Sequence, residues 1–165
     1  MATTKLKGNE VHTNGELPAV GSTAPNFELS KVDLSTTRLE DYKGSNLILN
    51  IFPSIDTATC ATSVRQFNAK AAALENTKVL CVSRDLPFAQ KRFCGAEGIE
   101  NVETASDFID GSFGKKYGVE LADGPLRGLH SRAVVVLNPE GKVIYTELVS
   151  DIVDEPNYDA AIAAL

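Results

Sequence analysis

The chemistry open to this chain is that of sulfur. It holds three cysteines, Cys60, Cys81 and Cys94, and two isolated histidines, His12 and His130. The surroundings of Cys60 set it apart. The run Leu47 to Phe52 is short and apolar, with branched and aromatic side chains, and suits a strand buried on both faces. Pro53 stops it. Asp56 and Thr57 are good N-cap residues, and Val64, Phe67, Ala71 and Leu74 recur at three- and four-residue spacing, so a helix starts just before Cys60. The first turn of a helix presents unpaired amides and the positive end of the macrodipole, which favour thiolate over thiol. Cys60 is therefore the candidate nucleophile. A free cysteine without such cues is more often a small buried hydrophobe. Cys81 keeps that reading, because alternation in Val79-Leu80-Cys81-Val82 puts it on the face of Val79.

The whole chain bounds what this sulfur can serve. Its 165 residues suit a single domain, 1–165, long enough to close a substantial core. A net charge of -6 with no basic run argues against nucleic acid or an anionic membrane surface as partner. No segment approaches ~18 consecutive apolar residues, and the N-terminus lacks the apolar core of a signal peptide, so a cytoplasmic location is expected. Three widely spaced cysteines in a reducing compartment make no structural disulfide framework. They also lack the C-x-x-C kind of spacing that holds zinc, so no metal is expected.

The elements that must position Cys60 follow in order. Lys5 to Thr13, followed by Asn14-Gly15, reads as a β-hairpin with a type I′ turn, giving an N-terminal extension over 1–17. Phe27 to Leu29 is a short strand, and Lys31 to Gly44 is polar and irregular, with one helical turn at Leu39 and Tyr42. After the Cys60 helix, Lys78 to Ser83 is a third apolar run, and Pro87 opens a short helix ending at Cys94-Gly95. Strand, helix, strand, helix is the signature of a parallel crossover unit. Val102 to Thr104 reads as a brief edge strand and Gly111 to Tyr117 as a helix ended by Gly118. Ala133 to Leu137 and Val143 to Leu148 form a hairpin about the Asn138-Pro139-Glu140-Gly141 turn. Pro156, at a first helical position, starts the last helix, Asn157 to Leu165. This order matches an α/β, thioredoxin-like fold with an N-terminal β-hairpin extension.

Two motifs carry a family resemblance. Pro53-x-x-x-Thr57-x-x-Cys60 resembles the peroxidatic motif of peroxiredoxins. Ser83-x-Asp85-Leu86-Pro87-Phe88-Ala89-x-x-Arg92-Phe93-Cys94, twelve positions long, resembles the signature of the bacterial thiol peroxidase family. The likeness extends through Asn50 to Thr57, Gly124-Pro125-Leu126, Arg132 to Val136 and Glu155-Pro156-x-Tyr158-Asp159. It implies reduction of hydrogen peroxide and organic hydroperoxides by an atypical two-cysteine mechanism, in which Cys60 attacks and Cys94 resolves. It further implies that Thr57, Arg132 and the Cys60 amide donate to the peroxide, and that Pro53 shields the sulfur. Thioredoxin as electron donor, a preference for alkyl over hydrogen peroxide, and a homodimer come from the resemblance alone. No cofactor is implied.

The chemistry can be weighed on its own terms. A free thiol with a pKa of ~8.5 is only ~3% ionised at pH 7, so full ionisation gains at most roughly thirtyfold, or ~2 kcal/mol. Intrinsic nucleophilicity falls with the pKa, so further acceleration must come from donors aimed at the peroxide oxygens. Local pattern alone leaves Thr57 equally a helix cap, and reads Arg132 more often as a solvated charge at the mouth of a strand. Asp56 is expected to face away from the sulfur and Arg65 to be a surface residue. His130-Ser131, before Arg132, could alter substrate access. Arg92 has no role that the pattern supplies.

Cys94 raises a mechanical question. A disulfide needs Cα atoms roughly 4.4 to 6.8 Å apart, and these cysteines sit on different elements. The helix that carries Cys94 is too short to be stable alone, so it is expected to fray toward Cys60. Two other uses of these thiols stand beside peroxide reduction. A thiol-disulfide oxidoreductase would want C-x-x-C at the helix start, where this chain has Thr57. A non-enzymatic redox sensor would be oxidised once per molecule and would not turn over.

Overall fold

The computed structural model describes all residues, Met1–Leu165. A seven-stranded sheet forms the centre. Its strands are β3 (Glu28–Lys31), β4 (Thr36–Arg38), β5 (Asn46–Ile51), β6 (Thr77–Ser83), β7 (Glu103–Ser106), β8 (Ala133–Leu137) and β9 (Val143–Leu148), in the spatial order β4-β3-β7-β6-β5-β8-β9. Strands β5, β6 and β7 are parallel, joined by α1 (Ala58–Ala71) and α2 (Pro87–Glu97), while β8 returns antiparallel against β5. Two further helices are α3 (Ser112–Tyr117) and α4 (Tyr158–Ala163).

Alternation along the central strand divides the core into two layers. Leu47, Leu49 and Ile51 face Phe27, Phe113 and Tyr117 on one side, whereas Ile48 and Phe52 face Val64, Phe67 and Phe93 from α1 and α2 on the other. Cys60, Cys81 and Cys94 all belong to this second layer. Asn50, on the same face in mid-strand, donates to Ser63 Oγ (3.2 Å) and Cys81 Sγ (3.6 Å). A buried amide needs such partners, because an unmet donor in an apolar layer costs about 1 to 3 kcal/mol.

A separate hairpin, β1 (Thr3–Leu6) and β2 (Asn9–His12), precedes the sheet. Its turn is not Asn14-Gly15. Lys7 (φ 51°) and Gly8 (φ 84°) make it, two consecutive positive-φ residues as a type I′ turn requires, and the backbone at Asn14 instead donates to Glu120 O. Other expectations are also corrected. Glu103–Ser106 is an inner strand between β3 and β6, since both of its edges find partners. The 31–44 segment contains β4, paired with β3. Gly95 lies within α2, which runs on to Gly98 (φ 64°), where the left-handed conformation lets the Gly98 amide close onto the Cys94 carbonyl. Helix α1 ends before Leu74, and Pro156 precedes the last helix rather than opening it, because the Asn157 side chain caps Ala160 N at 3.0 Å. No helix is long and apolar enough to cross a membrane.

Candidate active site around Cys60

Cys60 occupies the third position of α1, at the carboxyl end of β5. The amides of Ala58, Thr59 and Cys60 have no acceptor in the chain, and the first helical bond is Ala61 N to Thr57 O. Ser63 Oγ donates to the Cys60 carbonyl (2.8 Å) and accepts from Asn50, which ties the Cys60 turn to the central strand. The sulfur itself is fully buried.

Arg132, just before β8, reaches it. Its Nη2 donates to Cys60 Sγ at 3.2 Å and its Nε to Ile152 O at 2.8 Å, while Nη1 has no partner. The side chain is 1% exposed. A guanidinium in such a place costs several kcal/mol to desolvate unless something compensates it. Of its two hydrogen-bond partners, Cys60 is the one that can carry negative charge. The unpartnered Nη1 leaves a donor free for an oxygen brought next to the sulfur.

The other expected residues are placed as follows. Pro53 is buried at the end of β5. Thr57 holds the N-cap position with extended backbone, yet its hydroxyl makes no cap bond and donates instead to Ser54 O at 3.1 Å. With its proton directed to Ser54 O, the Thr57 oxygen has lone pairs free to accept. Asp56 faces outward and pairs with Arg92 of α2 at 2.8 Å, which gives Arg92 a structural partner. Arg65 is a surface residue and pairs with Glu97 of α2 at 2.7 Å. His130 is buried away from the sulfur and bonded to Asp107 (2.9 Å), whose carboxylate also accepts from the Phe113 and Gly114 amides. His12 bonds Asp123 and Glu10 through opposite ring nitrogens.

Cys94 is not brought to Cys60. It lies half-buried in the last part of α2, its sulfur 3.9 Å from Thr104 Oγ1, and burial pushes its thiol up. Cys81, fully enclosed, is pushed to about 12 by the same cause. All three thiols are free. Two clefts lie away from Cys60, which is in the wall of neither. One of about 420 Å³ opens between β3, β4 and α3, and one of about 410 Å³ has Cys94 in its wall.

One contributor escaped the sequence reading. The Asp85 carboxylate accepts from Ser54 Oγ (2.7 Å), Ile55 N (2.7 Å) and Ser83 Oγ (2.6 Å), joining the turn before Cys60 to the start of α2. Ser106 Oγ holds the Asp85 carbonyl, and Gln90 Nε2 bonds Ser83 Oγ and Ala105 O. Asp85 stands within the twelve-residue motif, but only the fold shows what it binds.

Known proteins share this arrangement of elements. Over residues 19–162 the chain matches the Redoxin family. It is 60% identical over 165 residues to the thiol peroxidase of Mycobacterium tuberculosis, covering 100% of this chain and 99% of that one. The thiol peroxidase of Corynebacterium glutamicum is 54% identical over the same coverage. Among solved structures, a peroxiredoxin-like protein from Aquifex aeolicus superposes with a TM-score of 0.94 at 41% identity, over 99% of this chain and 95% of its own. A thiol peroxidase from Chromobacterium violaceum, 21% identical, superposes with a TM-score of 0.89 over 96% of this chain and 91% of its own, and supports the thioredoxin-like fold. With a cysteine in the first turn of a helix on that fold and relatives this similar along the whole chain, the protein belongs to the Redoxin family as a bacterial thiol peroxidase, a peroxiredoxin-type enzyme that reduces peroxide at the expense of a thiol.

Proposed function

We propose that the enzyme reduces hydrogen peroxide and organic hydroperoxides by an intramolecular two-cysteine cycle, with Cys60 as nucleophile and Cys94 as resolving thiol. The observation that carries this reading is the Arg132 contact with Cys60 Sγ, with the second guanidinium nitrogen unpartnered. The Cys60 thiolate attacks one peroxide oxygen, the O–O bond breaks, and the leaving alkoxide or hydroxide takes a proton to depart as alcohol or water. Cys60 becomes a sulfenic acid. Arg132 Nη1 donates to the oxygen on which charge develops, and a donor of this kind contributes on the order of 10²–10³ in rate. The Thr57 oxygen accepts the peroxide O–H and fixes its orientation. Pro53 keeps water from the sulfur.

Cys94 then attacks the sulfenic sulfur, releasing water and forming the Cys60–Cys94 disulfide, which a thioredoxin dithiol reduces by exchange. Cys94 must travel for this. Helix α2 has 11 residues, still below the ~12 to 15 at which an isolated helix becomes marginally stable, and Cys94 lies near its C-terminal end. The end frays first. The proposal extends to one domain over 1–165 with residues 1–17 as an extension, acting in the cytoplasm as a homodimer.

Treating the reduced enzyme with one equivalent of cumene hydroperoxide and mapping its peptides tests the cycle. The expected product is a Cys60–Cys94 disulfide with Cys81 still free. An engineered crosslink that holds α2 to the body should leave sulfenic acid formation intact and slow the disulfide. Equal disulfide rates with and without the crosslink would rule out the movement of α2.

A further inference from the structure

The N-terminal hairpin lies outside the central sheet, and the reaction proposed above makes no use of it. Its contacts nevertheless converge on the residue behind Arg132. Ile152 N donates to Lys5 O in β1 at 2.8 Å, and Ile152 O accepts Arg132 Nε at 2.8 Å. The Ile152 side chain is buried with Val11 of β2 and Leu121, and Leu6 packs against them. On either side of Ile152 the hairpin holds the same segment again. Thr4, 2% exposed, donates from Oγ1 to Val149 O at 2.7 Å, and the turn amides of Lys7 and Gly8 donate to the Asp151 carboxylate at 3.1 and 2.9 Å.

Segment 149–153 is in turn bound to the site. Val149 N donates to the Arg132 carbonyl at 3.0 Å, so both the backbone and the Nε of Arg132 rest on it. Thr59, in the first turn of α1, donates to Val153 O at 2.9 Å. Five residues thus join the hairpin, the guanidinium and the Cys60 turn. We infer that the N-terminal hairpin is a positioning element of the active site, with Thr4, Lys5 and Asp151 fixing segment 149–153 so that Ile152 O aims the Arg132 guanidinium at Cys60. A long arginine side chain has several rotamers, and its reach to a sulfur 3.2 Å away depends on the acceptor that fixes Nε.

The inference rests on Arg132 acting on the peroxide, and its test separates the two claims. The rate of Cys60 oxidation by hydrogen peroxide is measured in the full-length protein by stopped flow, across pH, for Thr4→Val, Thr4→Ser and Asp151→Ala, each alone and combined with Arg132→Met. Thr4→Val keeps the shape and removes only the hydroxyl. The expected result is a fall of at least about fivefold for Thr4→Val and Asp151→Ala, with recovery in Thr4→Ser. Neither substitution should lower the rate further once Arg132 is methionine, because the hairpin acts through it. Full rates in both hairpin variants would overturn the inference, and so would losses that simply multiply with that of Arg132→Met. A fully active Arg132→Met would instead remove the reading of Arg132 on which it rests.

Discussion

The guanidinium of Arg132 touches the sulfur of Cys60 at 3.2 Å and has no carboxylate partner. Such a placement works against stability, since a desolvated cation is costly wherever it is not balanced, and the proposed function gives it a chemical reason. Arg132→Met is therefore expected to lose roughly 100-fold in the rate of Cys60 oxidation while melting at the same temperature as the wild type or higher. Stopped-flow oxidation and a thermal melt on the same sample check both halves. A melt that falls along with the rate would mean that Arg132 is a structural residue.

Thr57 gives a prediction of a different kind. A hydroxyl that caps a helix is worth about 1 kcal/mol, but the Thr57 hydroxyl bonds Ser54 O and caps nothing. Thr57→Val should leave the urea midpoint nearly unmoved and reduce the peroxide rate by about tenfold or more, and Thr57→Ser should keep both. Loss of stability in Thr57→Val without loss of rate would reverse this assignment.

The buried thiols set a pH dependence. Burial raises Cys94, and raises Cys81 from 9.0 to about 12. In the unfolded chain both ionise at their ordinary pKa, while in the fold they stay protonated to higher pH. Their contribution to stability is complete below the ordinary thiol pKa and is lost as pH rises through it toward the folded values. Urea midpoints should therefore fall between pH 7 and about pH 10.5, and fall less steeply in Cys81→Ala. Parallel declines in the two proteins would contradict the assignment to Cys81.

Movement of α2 depends on what holds it. Two exposed ion pairs, Asp56–Arg92 and Arg65–Glu97, flank Cys94 along the helix, and exposed pairs are weak and screened by salt. Asp85 is the firmer tie, with three charge-assisted hydrogen bonds of 2.6 to 2.7 Å. Roughly 0.5 M salt should change the rate of disulfide formation by less than about threefold. Asp85→Ala should raise that rate by about tenfold and slow the first oxidation, as the turn before Cys60 and the start of α2 are released together. Rapid-quench sampling of sulfenic acid and disulfide separates the two steps.

Local signals in the sequence mark local structure well. Proline after an apolar run and cap residues before a periodic one place the start of α1 just before Cys60, because each cue acts within a few residues. What depends on distant pairing is not marked. Arg132 has no local feature that distinguishes it from a charge at a strand end; its partners Cys60 and Ile152 come from elements 72 and 20 residues away. Asn14-Gly15 has a good turn composition, yet Lys7-Gly8 forms the turn because the register that docks β1 on Ile152 requires it there. Gly95 is composed like a helix stop, but Phe93 and Cys94 immediately before it in α2 pack into the second core layer, and the helix runs on to Gly98. Asp85 and His130 are polar residues whose meaning lies wholly in buried partners.

The central claim is that Cys60 attacks the peroxide and Cys94 recycles it. It is tested most directly by steady-state consumption of hydrogen peroxide and cumene hydroperoxide with a thioredoxin recycling system, in the wild type, Cys60→Ser and Cys94→Ser. The account requires many turnovers in the wild type, none in Cys60→Ser, and in Cys94→Ser a single oxidation that thioredoxin does not recycle. Activity in Cys60→Ser, or unimpaired thioredoxin-dependent turnover in Cys94→Ser, would contradict it.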